Sequence, residues 1–138
     1  MSILAVIDTN VIVSALLSKH ADTATVQVLN YVFTGNIIPI ISADIYNEYS
    51  EVLKRSKFSF PEKQVDILLN SLLTNSKIIN PIEKEDVLID KKDKPFLDAC
   101  FSTEEASYLI TGNKKHFPIY DVIVTPGEIV DLIKKTDA

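Results

Sequence analysis

Apolar positions along this chain follow two patterns, short unbroken runs and longer stretches at helical spacing. Ile3 to Ile7 (ILAVI) and Ile37 to Ile41 (IIPII) are unbroken runs, as expected of strands buried on both faces. Pro39 in the second run predicts an edge or strand-end position. Helices are predicted over Val11 to Leu17, over Ala24 to Phe33 with Gly35-Asn36 as its stop, and from a Ser42 cap to about Lys57. Another is predicted from Glu62 to about Asn75, with Val65, Leu68, Leu69, Leu72 and Leu73 on one face. Lys77 to Asn80 reads as a brief strand, Glu83 to Lys94 as charge-rich loop, and Lys94 to Ala106 as helix. Strands at Tyr108 to Thr111 and Val122 to Thr125 precede a closing helix from Gly127 to about Lys135. Alternation of this kind predicts a three-layer α/β sandwich, a mostly parallel sheet flanked by helices, in one domain over residues 1–138.

The 46% apolar and 24% charged fractions agree with a globular chain. A net charge of −5 argues against holding nucleic acid by bulk charge, since phosphate is neutralised by Lys and Arg. It leaves room for an enzyme with a local basic rim around acids. Cys100 is the only cysteine, which excludes an internal disulfide and a thiolate zinc site, and it reads as a small buried hydrophobe. No apolar run has the length of a membrane span, and the apolar start, interrupted by Asp8, is unlike a signal peptide. A cytoplasmic setting is the expectation.

In an open parallel sheet, ligands bind beyond the carboxyl ends of the strands, so the polar residues just after each strand matter most. Asp8 ends the first strand and is also well placed to cap the following helix. Glu48 borders the buried arc of Ile45, Tyr46, Tyr49, Val52 and Leu53, where it can lean over the sheet or pair in solvent with Arg55. Asp93 sits at the start of the helix whose buried face is Phe96, Leu97, Ala99 and Cys100, and it too is a natural cap. Asp98 points to the other side and is expected in solvent, while periodicity does not place Asp90. Gly112 permits a tight turn that brings Asn113 over the end of its strand. Each position alone has an ordinary structural role. Together they offer three carboxylates and an amide on one rim. Acids so gathered raise one another's pKa values unless a cation intervenes. Mg²⁺ or Mn²⁺ is the natural partner for oxygen ligands, and in-line phosphodiester hydrolysis is the leading chemistry.

Those residues also carry a resemblance. DTN with its flanking apolar runs, Glu48, the D-x-x-D-x-P-F-L segment from Asp90 to Leu97, TGNKKHF from Thr111 to Phe117 and the closing VTPGEIVDLI resemble the PIN-domain family. The likeness is closest to its prokaryotic toxin–antitoxin branch, the VapC-like ribonucleases. It implies a metal-dependent endoribonuclease, an antitoxin partner and a homodimer. By position, Asp8, Glu48 and Asp93 match the family's metal-binding acids, and Asn113 stands where many members carry a fourth acid. The chemistry gives Asp8 and Asp93 the principal ion, while Glu48 completes the cluster and orients or deprotonates the attacking water. Thr9, Asn10, Asp90 and Thr111 support them from behind. Lys91, Lys92 and Lys94 beside Asp93, with Lys114, Lys115 and His116 after Asn113, would form an RNA-binding rim, although Lys-rich loops are commonly just solvated. His116 reads either as a phosphate contact or as a packed loop residue.

Two rivals stand beside this expectation. Aspartyl-phosphate transfer of the haloacid-dehalogenase kind requires a second Asp two residues after Asp8, where Asn10 stands. A non-catalytic RNA- or protein-binding module that retains the fold is the other, and Asn113 is its best argument.

Overall fold

The computed structural model describes residues 2–81, 91, 93–103 and 107–136. The predicted loop over 83–94 falls almost entirely outside the described residues, Asp90 and Lys92 included. The elements are β1 (Ile3–Ile7), α1 (Thr9–Leu17), α2 (Ala24–Phe33), β2 (Ile37–Ile41), α3 (Ala43–Leu53), α4 (Glu62–Thr74), β3 (Lys77–Ile78), α5 (Lys94–Phe101), β4 (Ser107–Ile110), β5 (Ile123–Val124) and α6 (Pro126–Thr136). The strands form one sheet in the order β3-β2-β1-β4-β5, every pair parallel, flanked by the helices as a three-layer α/β sandwich. β1 is buried at all five residues, as its unbroken apolar run requires of a central strand.

Chain order reverses between β1 and β4. From β1 the chain steps outward to β2 and β3, then returns to the far side of β1 as β4 and β5. The carboxyl ends of β1 and β4 therefore flank the switch point, where a crevice is expected. Asp8 follows β1 and Thr111 follows β4, joined at their base by the Asp8 N–H donating to the Ile110 carbonyl at 2.9 Å.

Pro39 corrects the edge prediction, because β2 is an inner strand. Its backbone orientation explains the tolerance. The Ile41 carbonyl accepts from Ile79 N–H on the β3 side, so Pro39, two residues earlier, turns its missing N–H toward that side too. Pairing with β3 begins only at Ile40 and Lys77, so the ladder loses nothing.

α3 and α5 end earlier than predicted, at Leu53 rather than Lys57 and at Phe101 rather than Ala106. Arg55 has already turned extended, and a 3₁₀ turn, Ser56–Phe58, follows. α2 ends as predicted, with Gly35 in the left-handed region at φ 83°. Gly112 does not use that freedom, and a Cβ there would make only ordinary contact with Asn10, so its turn does not depend on glycine.

Asp98 is a second correction. It is buried, and its carboxylate lies 3.0 Å from Lys94 Nζ one helical turn earlier. α5 packs against β1, β2, β4 and α3, and Phe96 through Cys100 are buried without interruption. A helix enclosed in this way has little solvent face, so its acid is matched by an ion pair instead.

Beneath the carboxyl edge, Tyr49 of α3 and Phe96 of α5 meet with ring centroids 6.3 Å apart, both almost fully buried. The Tyr49 hydroxyl donates to the Ile7 carbonyl at the end of β1. Tyr49→Phe should lower stability by about 1 kcal/mol while keeping the ring packing. Urea unfolding would measure it.

Candidate active site

Three elements bring acids to the switch point: β1 through Asp8, α3 through Glu48, and the start of α5 through Asp93. Ser42 begins α3 as predicted, its hydroxyl accepting from Ile45 N–H at 3.2 Å. From that fixed start, Tyr49 falls in the core and Glu48 beside it is half-buried.

Neither Asp8 nor Asp93 caps its helix. Both occupy the capping position without a side-chain capping hydrogen bond. The buried Asp8 carboxylate instead accepts from the Thr111 hydroxyl at 2.7 Å, and Thr111 is wholly buried. Glu48 accepts from the Thr9 hydroxyl, so the expected alternative pairing with Arg55 is not made. Arg55 is bound to Glu51. Asp93 Oδ2 lies 3.5 Å from His116 Nδ1.

Burial pushes the Asp8 carboxyl up to about 6; Asp93 and Glu48 add to the rise, while the Thr111 hydroxyl and Thr9 N–H oppose it. Glu48 is raised as well, first by burial and then by Asp93 and Glu51, against the Thr9 hydroxyl and Arg55. The buried Tyr49 hydroxyl is held far above its ordinary range by burial and by both acids. Burial is the largest cause of each shift, and the neighbouring acids add to it. Asp8, Glu48 and Asp93 are near enough to destabilise one another's charge.

As donors they suit a hard divalent cation, being carboxylate oxygens under mutual repulsion. Among the described residues, however, no three His, Cys, Asp or Glu side chains are gathered so as to hold a metal ion. The Thr9 and Thr111 hydroxyls satisfy Glu48 and Asp8 individually.

The chain matches the family model described as PIN domain over residues 4–115, a span that includes every acid of this cluster and Asn113. The chain belongs to the PIN-domain family. Its fold is therefore of nuclease type. This PIN domain is also 27% identical, over an alignment of 150 positions, to an uncharacterized protein of Methanocaldococcus jannaschii, covering 98% of this chain and 94% of the relative.

Around the acids, the PIN domain places its other predicted residues unevenly. Asn10 is exposed, and its side-chain oxygen accepts from Gly112 N–H at 3.3 Å, tying the turn after β1 to the turn after β4. Asn113 N–H donates to Thr111 Oγ1 at 3.0 Å, and its side chain meets His116. Lys94 is mostly buried and ion-paired with Asp98. Lys114 is exposed and lies 3.1 Å from Glu128, whose carboxyl is lowered by Thr125 N–H and by that lysine. Lys91 and Lys115 are exposed. The predicted basic rim of this PIN domain is thus partly committed to local pairs.

Periodicity does not reveal two contacts. The Tyr49 hydroxyl ties α3 to β1, and the usable signal was that a buried tyrosine needs a partner. His116 joins Asp93 to Asn113 from a turn that carries no periodicity at all. No helix among the described residues is long and apolar enough to cross a membrane.

Proposed function

We propose that this PIN domain is a metal-dependent endoribonuclease that hydrolyses RNA phosphodiester bonds. The observation that carries the proposal is that Asp8, Glu48 and Asp93 act on one another's charge at the switch point, where burial raises Asp8 to about 6. Asp8, Glu48 and Asp93 would have to draw closer than they stand to hold Mg²⁺ or Mn²⁺, which when bound supplies Lewis acidity and a water of lowered pKa. Glu48, a stronger base than an exposed glutamate, accepts the proton of the attacking water. Thr9 and Thr111 orient the acids through their hydroxyls, with Asn10 and Asn113 bracing the two turns. Asp90 and Lys92 belong to the proposed site by their position in the sequence. Exposed Lys91, Lys114 and Lys115 would meet RNA phosphate around the acids. Lys94, paired with Asp98, serves the start of α5 first.

The wider role we propose is the toxin of a toxin–antitoxin pair, a homodimer in the cytoplasm restrained by an antitoxin protein. Its support is the resemblance of the DTN, TGNKKHF and VTPGEIVDLI segments to that branch. A non-catalytic binding module is the second reading, favoured by the neutral amide of Asn113 where a fourth acid would stand.

Incubation of mixed RNA with the purified protein and Mn²⁺ or Mg²⁺ separates the two. Cleavage that EDTA stops and Asp93→Asn removes is the expected result. RNA binding without cleavage in either metal would establish the binding module.

A further inference from the structure

His116 touches the site with both ring nitrogens. Asn113 Nδ2 is 3.0 Å from Nε2, and Asp93 Oδ2 is 3.5 Å from Nδ1. With the Asn113 amide nitrogen toward the ring, Nε2 would accept, and the ring proton would then sit on Nδ1, facing Asp93. The turn that carries the ring is itself anchored. His116 N–H donates to the Asn113 carbonyl at 3.1 Å, and the next residue, Phe117, is buried.

The contacts continue beyond Asn113. Asn113 N–H donates to Thr111 Oγ1 at 3.0 Å, and that hydroxyl donates to Asp8 Oδ2 at 2.7 Å. Asp93, His116, Asn113, Thr111 and Asp8 therefore form one polar chain, with an acid at each end. The two acids lie far apart in the sequence and share no helix or strand.

We propose that His116 is a positioning residue that fixes Asp93 and, through Asn113 and Thr111, sets its place relative to Asp8. Asn113 acts in this chain as the amide that selects the His116 tautomer. A carboxylate there would offer no proton to Nε2. The proposal rests on the nuclease reading for its effect on metal and rate, but the tautomer and its dependence on Asn113 are independent of that reading.

The test compares wild type with His116→Ala, whose exposed position makes loss of the fold unexpected, as a thermal melt would verify. Mn²⁺ affinity is measured by calorimetry without RNA, and kcat and KM are measured on RNA. A positioning role weakens Mn²⁺ by about 10–100-fold and lowers kcat, with KM for RNA unchanged. Raised KM with unchanged Mn²⁺ affinity would overturn it in favour of a phosphate contact, and no change in any quantity would also overturn it. Two-bond ¹H–¹⁵N NMR at about pH 8.5, above the imidazole range, reads the tautomer directly. The proton should lie on Nδ1 in wild type and shift toward Nε2 in Asn113→Ala; an Nε2 proton in wild type overturns the proposal. If wild type neither bound Mn²⁺ nor cut RNA, the nuclease reading would fail and the NMR result would still decide the contact.

Discussion

Asp8→Asn is expected to melt several degrees above wild type at about pH 7.5 and to lose metal-dependent cleavage. The two effects share one origin. Asp8 is buried beside two other acids, and its carboxyl is raised from 3.8 to about 6. Between those values the folded chain keeps a proton that the unfolded chain has released, so wild-type stability falls as pH rises across the window. Above it the loss is complete. At about 1.4 kcal/mol per pKa unit, an ionised Asp8 costs the fold on the order of 3 kcal/mol. Asparagine avoids that cost and keeps an acceptor oxygen for the Thr111 hydroxyl. Glu48, also raised, leaves part of the pH slope in the variant.

Function is expected to move the other way. Removing a ligand should reduce cleavage by at least about a hundredfold, since outer supporting groups alone are worth 10–100-fold in metal affinity. Mn²⁺ should raise the melting temperature of wild type, by binding the folded state, and leave Asp8→Asn nearly unmoved. Thermal melts with and without Mn²⁺ over an acidic-to-neutral pH series would measure both effects. A variant less stable than wild type at every pH would contradict the assignment of Asp8 as a strained acid.

The parts of this fold that were legible in the sequence are those with a one-dimensional signature. β1 announces itself as five apolar residues, and α2 carries its own stop at Gly35. Ser42 marks the start of α3, which is enough to place Glu48 at the edge of the buried face. Helix ends without Gly or Pro were overrun, as at Leu53 and Phe101, because the residues that follow remain acceptable in a helix. Asp98 was misplaced for another reason. Periodicity assigns one buried face to a helix, whereas α5 is covered by the sheet and by α3 together.

The acids at the site were legible as positions after strands and at helix starts, and Thr9 and Thr111 as their supports, but which hydroxyl meets which acid was not. Thr111 is over a hundred residues from Asp8, and only the pairing of β4 with β1 brings its hydroxyl there. His116 and Asn113 lie in a turn, where spacing says nothing about direction. Asp8 and Asp93 occupy capping positions as the sequence suggests, yet leave the capping hydrogen bond unmade. A carboxylate that forgoes that bond to face two other acids is held there by tertiary structure.

Thr111→Val tests that hold directly. Valine fills nearly the same space but removes a hydroxyl that donates to Asp8 and accepts from Asn113 N–H. Leaving those two groups without it should destabilise the fold by about 1–3 kcal/mol. The larger consequence concerns pH. Burial raises the Asp8 carboxyl, and the Thr111 hydroxyl is the strongest influence holding it down. Without the hydroxyl its pKa rises further above about 6. Asp8 must be ionised to hold a cation, so activity increases as pH rises through that pKa. The acidic limb of the kcat/KM profile, measured at subsaturating Mn²⁺, should therefore move to higher pH in Thr111→Val. Thr111→Ser keeps the hydroxyl and should retain the wild-type limb despite losing a methyl. An unmoved limb in the valine variant would mean that the ionisation governing activity is not that of Asp8, and Glu48 would take its place.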